Sequence, residues 1–441
     1  MTAILETTDP IVARLLGLGD GLGEGDPSWI RRLRRIGASR FAALGFPTVR
    51  QEAWRFTNVA PLAGIAFARE SGHEPSRERI AHLLPDETTN LVVVDGRFSH
   101  RLSDVVSVEG LAAGSLADAI RSGTPLLEEH LGGYADAESR PFVALNTALI
   151  DDGVFVSVDP GVVVEQPIHL LFITTAGGSP RLSNVRNLIL AGAGSQLRLL
   201  ETYAALDDGG VQFTSSVSEV VAERNATVDH HRLQIESDEA YHIGALRIEA
   251  KRDSQVRSHS ISLGAALARI DIDAVLAGPG SGCVLDGLYV VRGTQHVDHH
   301  TVIDHAQPHC TSQELYKGIL DGRSRAVFDG AIIVRKDAQK TSSGQVNRNL
   351  LLSEGAVVDS KPQLEIHADD VRCTHGSTIG QLEGEPVFYL RSRGIAEREA
   401  RNMLTYAFAR EVVDRMQIPF VRSIVEEALL ERLPGGVGER G

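Results

Sequence analysis

Hydrophobic positions change their spacing twice along this chain, dividing it into three. Near the start, Ile11, Leu15 and Leu16, then Ile30, Leu33, Ile36, Phe41 and Leu44, recur at three- and four-residue steps, the period of an amphipathic helix. Asp26-Pro27-Ser28 predicts a helix start and Gly45-Phe46-Pro47 a stop. The run GLGDGLGEG at 17–25 has no G-x-G-x-x-G register and follows no strand, so it reads as a connector rather than a phosphate cradle. Arginines at 31, 32, 34, 35 and 40 read as a solvated helix face. Residues 1–150 are assigned as an N-terminal, mostly helical region.

From about Asp151 to Tyr389 the period drops to two. QLRLLETY, VSEVVAE, LRIEAKR and AVFDGAIIV are short alternating runs bounded by Gly, Asp, Asn or Ser, the pattern of half-buried strands. A weak repeat runs through them: SQLRLLE from Ser195, ATVDHHR from Ala226, SQVRSHS from Ser254, GCVLDGL from Gly282, RAVFDGA from Arg325 and AVVDSKP from Ala356. Most steps are 28 to 31 residues and one is 43. Strand repeats of this size predict a solenoid over 151–390, whose coils bury one face on their neighbours. A β-sandwich has similar strands but no reason to repeat. Stacked coils leave two ends, which must be capped or paired.

The last fifty residues return to a helical period. In GIAEREARNMLTYAFAREVVDRMQ the positions Met403, Leu404, Ala407, Phe408, Val412 and Met416 are predicted to line one stripe. After Pro419, Val421, Ile424, Val425 and Leu429 repeat the pattern. Residues 391–441 are thus a C-terminal helical region, with its stripe open to a partner as well as to the chain's own core.

Composition narrows the function classes. With 441 residues, 42% hydrophobic and 23% charged, the chain has the make-up of a globular protein with a large core. The net charge of −14 argues against a general nucleic-acid or anionic-membrane binder. No apolar run reaches the ~18 residues of a membrane span, and MTAILETTDP carries no signal-peptide pattern. Cysteines at 283, 310 and 373 make no disulfide framework, and the expected location is a reducing cytoplasm.

Two segments are candidates for chemistry. HVDHHTVIDHAQPHC, from His296 to Cys310, holds five of the 16 histidines. On a strand, alternation puts His296 and His300 on one side with Asp298 and Asp304, and His299 and His305 on the other with Val297 and Ile303. The histidines therefore cannot converge on one ion, and the stretch reads as scaffold. In the second segment, VDSKPQLEIHADDVRCTHGSTIG, Cys373 and His375 fall on the same strand face. A thiolate beside an imidazole suits iron or zinc, and an imidazolium there would lower the thiol's pKa. The alternative has Val371 and Cys373 facing a core, with His375 a hydrogen-bonded core histidine. Two ligands are too few for a closed site, so others must complete it.

KPQLEIHADDVRCTHGST, followed by FYLRSRGI, resembles the SufD branch of the SufB/SufD family of the SUF iron–sulfur cluster assembly system. GTQHVDHHT, GRSRAVFDG, KTSSGQ and the early QEAWRFTNVAPL extend the likeness from about Gln51 to Met416. The SufB branch carries Glu-His-Glu at the matching histidine, where Thr374 and Gly376 flank His375. The resemblance implies a right-handed parallel β-helix flanked by helical regions, in a cytoplasmic complex with SufB and the ABC-type ATPase SufC. It implies that the C-terminal helices dock SufC, and the apolar stripe of Met403, Phe408 and Val412 is expected to help hold those helices for this partner. It also implies pairing with SufB through the β-helices. His375, with Cys373, would then face a transient iron or nascent cluster at that junction, in a scaffold that aids iron acquisition and holds no tight cofactor. The chain's lack of a G-x-x-x-x-G-K-[ST] motif agrees that ATP hydrolysis belongs to a partner. A purely structural subunit with an inert histidine, the SufB paralogue, a secreted polysaccharide-active β-helix enzyme and a cupin-like metal enzyme are the competing readings. Homodimerisation of the isolated chain stays open.

Overall fold

In a computed structural model, residues 9–23, 25–69, 74–104, 108–175, 179–206, 210–382 and 384–432 are described. The first eight residues, Glu24 in the glycine-rich run and the last nine lie outside them. The architecture is a β-solenoid of about seven turns flanked by helices. Each coil contributes one strand to each of two facing sheets. Sheet A has nine strands, ending at Val357–Ile366, and sheet B has ten, ending at Arg372–Gln381. All pairings between successive coils are parallel and in register, for example Leu267–Leu276 on His296–His305 on Arg325–Val334.

The repeat follows directly from this winding. Units beginning near Ser195, Ala226, Ser254 and Gly282 are successive strands of sheet B. The 43-residue step runs from Gly282 past the Thr311–Leu320 strand to Arg325. It takes in one whole coil and then half of the next, so the last two units belong to sheet A. Parity sets the packing. Inward residues such as Val228, Val256, Cys283, Val297 and Phe328 stack into one continuous core between the sheets. Large inward rings fit because a glycine is the register partner of each: Tyr289 is paired with Gly318 and Tyr316 with Gly287. A Cβ at either glycine would stand 2.1 Å from the opposing ring.

The outer faces are covered by the terminal regions. The Ser28–Leu44 helix starts after Pro27 and stops at Gly45, whose φ is +73°. It lies against the Pro141–Ala148 helix at Gly37, where a Cβ would meet the Ala148 nitrogen at 2.5 Å. Phe41, Trp54 and Phe142 then pack on the outward Leu182, Phe213, Ile243 and Leu267 of sheet A. Of the arginines on that helix, Arg34 is turned inward, donating to the Ile150 carbonyl and pairing with Asp26. The expectation of a mostly helical start misses three strands. Thr89–Val94, a continuous apolar run too short to show a period, joins sheet B beside Ile168–Thr174. Arg97–Phe98 and Leu111–Ser115 pair antiparallel with their neighbours and end the two sheets.

One end of the solenoid is thus closed by antiparallel strands and helices. The other is not. Among the described residues no further coil lies upon Val357–Ile366 and Arg372–Gln381, and all their residues are exposed or half-buried.

Candidate functional site

The histidine-rich strand is clamped by the N-terminal region. On His296–His305 the alternation holds: Val297, His299, Ile303 and His305 are buried between the sheets, while His296, Asp298 and His300 face outward. Thr57, from the QEAWRFTNVAPL segment, donates to Asp298 Oδ2 at 2.5 Å and meets His296 Nε2 at 2.9 Å. Arg269 pairs with Asp298 at 2.8 Å and donates to the Ala53 carbonyl. Its guanidinium also lies 3.9 Å from the Trp54 ring centroid. Burial raises the Asp298 pKa, but Arg269 and His300 outweigh it and hold the carboxyl well below its usual range. Two distant sequence segments therefore meet as a structural lock.

On the inner side His299 stacks between Tyr289 and Tyr316, at 5.3 and 5.2 Å, and burial pushes its pKa down to about 3. His305 contacts Ser312 Oγ at 2.9 Å. His309 occupies a left-handed turn position, φ +62°, and Cys310 is fully buried, its thiol near the Gly278 carbonyl. Among the described residues, this segment supplies no group of three donors close enough to hold an ion.

Cys373 and His375 sit at the open end. They pair with Ser343 and Gln345, both buried inward residues of the preceding coil, so parity turns both toward the solenoid axis. Ser377, on the same face, meets Ser360 of the opposite sheet across the mouth at 2.8 Å. Cys373 is half-buried, packed with Val371 and Leu364 against Ile332, Val334 and Ala338. His375 is exposed, and its imidazole has no hydrogen-bond partner among the described residues. The core-histidine alternative is therefore incorrect: an inward position is a core position only when another coil lies above it. A lowered Cys373 pKa is also not found. Burial raises it, only partly offset by a backbone hydrogen bond from Ser343, because no cation stands beside the sulfur.

The C-terminal helices cover sheet B, rotated from the expected stripe. In the Glu397–Val413 helix the buried residues are Ala400, Thr405, Ala409, Val412 and Val413. Of these, Ala409, Val412 and Val413, with Met416, Val421, Val425 and Leu429, seat on Leu233, Ile261, Leu288 and Ile319. Lys317 reaches up to the Phe408 carbonyl at 2.9 Å, its ammonium 4.4 Å from the Phe408 ring. Val412 is fully buried, Phe408 half-buried and Met403 48% exposed, so the three do not form one surface. The sheet takes the face carrying Ala409, Val412 and Val413, which leaves Met403 and Ala407 of the expected stripe exposed. Missed in sequence were Phe388 and Tyr389 of the Gly384–Ser392 helix, 72% and 56% exposed. Two aromatics in an otherwise polar FYLRSR run were the available signal.

Comparison with known proteins covers nearly the whole chain. Residues 20–170 match the SufBD protein N-terminal region, and residues 172–408 the SufBD core domain of SUF-system FeS cluster assembly. The iron-sulfur cluster assembly protein SufD of Escherichia coli is 32% identical over 399 residues, covering 89% of this chain and 90% of that one. A SufBD family protein of Synechocystis is 33% identical over 396 residues, 88% and 87% of the two chains. SufD of Bacillus subtilis is 24% identical over 413 residues, 90% and 92% of the two. The two-sheet solenoid, the placement of the motifs and these matches lead to one conclusion: the chain belongs to the SufBD family of SUF-system iron–sulfur cluster assembly proteins, as a SufD-type member.

Proposed function

We propose that the chain is a scaffold that pairs, through the uncovered end of its solenoid, with a SufB-type subunit in the cytoplasm. A nascent iron–sulfur cluster, the cargo of the assembly, is built at that junction, with His375 and Cys373 offering ligands on the iron-acquiring side. One observation carries this reading: Cys373 and His375 are inward-facing residues of the last coil, and no further coil among the described residues covers them. Two donors cannot close a tetrahedral site, so the remaining ligands come from the subunit that closes the mouth. The rim suits burial, since Val357, Ile366 and Ile379 are exposed apolar side chains beside free strand edges.

The C-terminal helices dock a SufC-type ATPase, and their exposed apolar side chains are Phe388, Tyr389, Met403 and Leu430. Deleting residues 391–441 is a poor test, because it would also strip the cover from Leu233, Ile261 and Leu288. Surface substitutions separate the two contacts. In co-expression, I366K/I379K is expected to lose the SufB-type subunit and keep the ATPase, and M403E the reverse. Retention of the SufB-type subunit by I366K/I379K would overturn pairing through the open end.

A further inference from the structure

A second group of donors lies on the other face of sheet B, under the C-terminal helices. Thr227–Ile235 and Gln255–Ser262 are adjacent parallel strands, and their register places His231 beside His259. Asp229, two residues before His231, shares its face. The two imidazoles stack at 4.7 Å with planes 18° apart. His231 Nε2 stands 3.3 Å and His259 Nε2 3.8 Å from Asp229 Oδ1. One donor from each of the three lies within 4.8 Å of the others. Donors around a tetrahedral ion with bonds of ~2.1 Å stand about 3.4 Å apart, so small side-chain adjustments close the set.

The second observation is the lack of partners. Both ring nitrogens of His231, both of His259, and Asp229 Oδ1 make no hydrogen bond among the described residues. His231 and His259 are 0% and 2% exposed. Buried polar atoms are ordinarily satisfied, and three of these orphans, His231 Nε2, His259 Nε2 and Asp229 Oδ1, converge, an arrangement explained economically by an ion. Asp286, the register partner of His259 on the next strand, lies 3.6 Å from His259 Nδ1. Arg415, after the Glu397–Val413 helix, holds Asp286 at 2.9 Å. A carboxylate behind a ligating imidazole, itself anchored, is the usual outer support of a metal-bound histidine.

We propose that Asp229, His231 and His259 bind one divalent first-row transition-metal ion, of the zinc or iron(II) class, that ties neighbouring coils beneath the C-terminal helices. Nitrogen and carboxylate donors without a thiolate disfavour copper(I), and two imidazoles disfavour calcium or magnesium. The site is distinct from the open mouth. It lies on the opposite face of sheet B, four strands from the Arg372–Gln381 edge, or ~19 Å at the usual strand spacing.

The test uses the full-length chain, stripped with a chelator, desalted, and titrated separately with Zn²⁺, Co²⁺ and anaerobic Fe²⁺. The expected result is one ion per chain that C373S/H375A keeps and H231Q/H259Q loses. Bound Co²⁺ should show visible d–d bands without a thiolate charge-transfer band, and Zn²⁺ should raise the melting temperature of the wild type but not of D229N. If H231Q/H259Q does not fold, D229N and the Co²⁺ spectrum carry the decision. No binding by the wild type, unchanged stoichiometry in the site variants, or a thiolate band on Co²⁺ would each overturn the proposal.

Discussion

Replacing Arg269 by Met tests the lock between the N-terminal region and the histidine-rich strand. Arg269 is 3% exposed and Asp298 0%. The substitution removes the 2.8 Å ion pair, the 2.9 Å contact with Asp271 and the bond to the Ala53 carbonyl, leaving Asp298 with Thr57 and His300 and Asp271 with Arg140. Breaking a buried pair from one side costs about 3–5 kcal/mol, because the remaining charge has lost its partner. The stacking of Arg269 on Trp54 adds about 1 kcal/mol, part of which Met restores by packing. A loss of about 4 kcal/mol is expected in urea unfolding at pH 7.5. Hydrogen exchange should rise first at residues 52–57. R269M/D298N, which removes the stranded charge but keeps an acceptor for Thr57, should recover about half.

The pH dependence has a definite sign. The folded Asp298 pKa lies below its unfolded value of about 3.9. Its contribution is therefore present above that value and lost only as pH falls through the folded one. In R269M the stranded carboxyl is no longer held down and takes a proton at higher pH, so the deficit against wild type should shrink on acidification. A loss below about 1 kcal/mol, or a deficit that widens toward pH 5, would refute the reasoning.

Two further predictions concern the solenoid interior. His299 has no hydrogen-bond partner for either ring nitrogen among the described residues. H299L should therefore be at least as stable as wild type in chemical denaturation, whereas H299A should lose ~3 kcal/mol to the cavity. Glu314 is buried, and that burial, against a hydrogen bond from Gln345, pushes its pKa up to about 7. The folded chain then holds a proton that the unfolded one releases near pH 4.3, so stability falls as pH rises to about 7 and is level above it. E314Q should flatten that slope in melts across pH 5–8 and gain on the order of 3 kcal/mol at pH 8.

The solenoid was legible because its signal is local and repeated: period-two runs such as QLRLLETY recur once per coil, and alternation placed His299 and His305 inside. The 43-residue step was visible without its cause, since a strand of sheet A and one of sheet B look alike in sequence. Thr89–Val94 was not legible, because a strand buried on both faces has no alternation to show. Around the site, parity correctly turns Cys373 and His375 to one face, but sequence does not mark where coils stop, and that decides whether an inward histidine is buried. Nor does it mark which side of a helix a sheet will cover, which is why Val412 and Met403 part company. The Asp229–His231–His259 group was present in ATVDHHR and SQVRSHS, but only the register of two strands joins them.

The most direct test of the open-end scaffold is the iron and acid-labile sulfide content of the complex carrying H375A, purified anaerobically with its SufB-type and SufC-type partners. His375 is exposed and its imidazole has no hydrogen-bond partner among the described residues, so the variant chain should keep its stability within about 0.5 kcal/mol and its partners in full. Cluster content should fall sharply. Wild-type iron and sulfide in a fully assembled H375A complex would contradict the account and leave a structural subunit with an inert histidine.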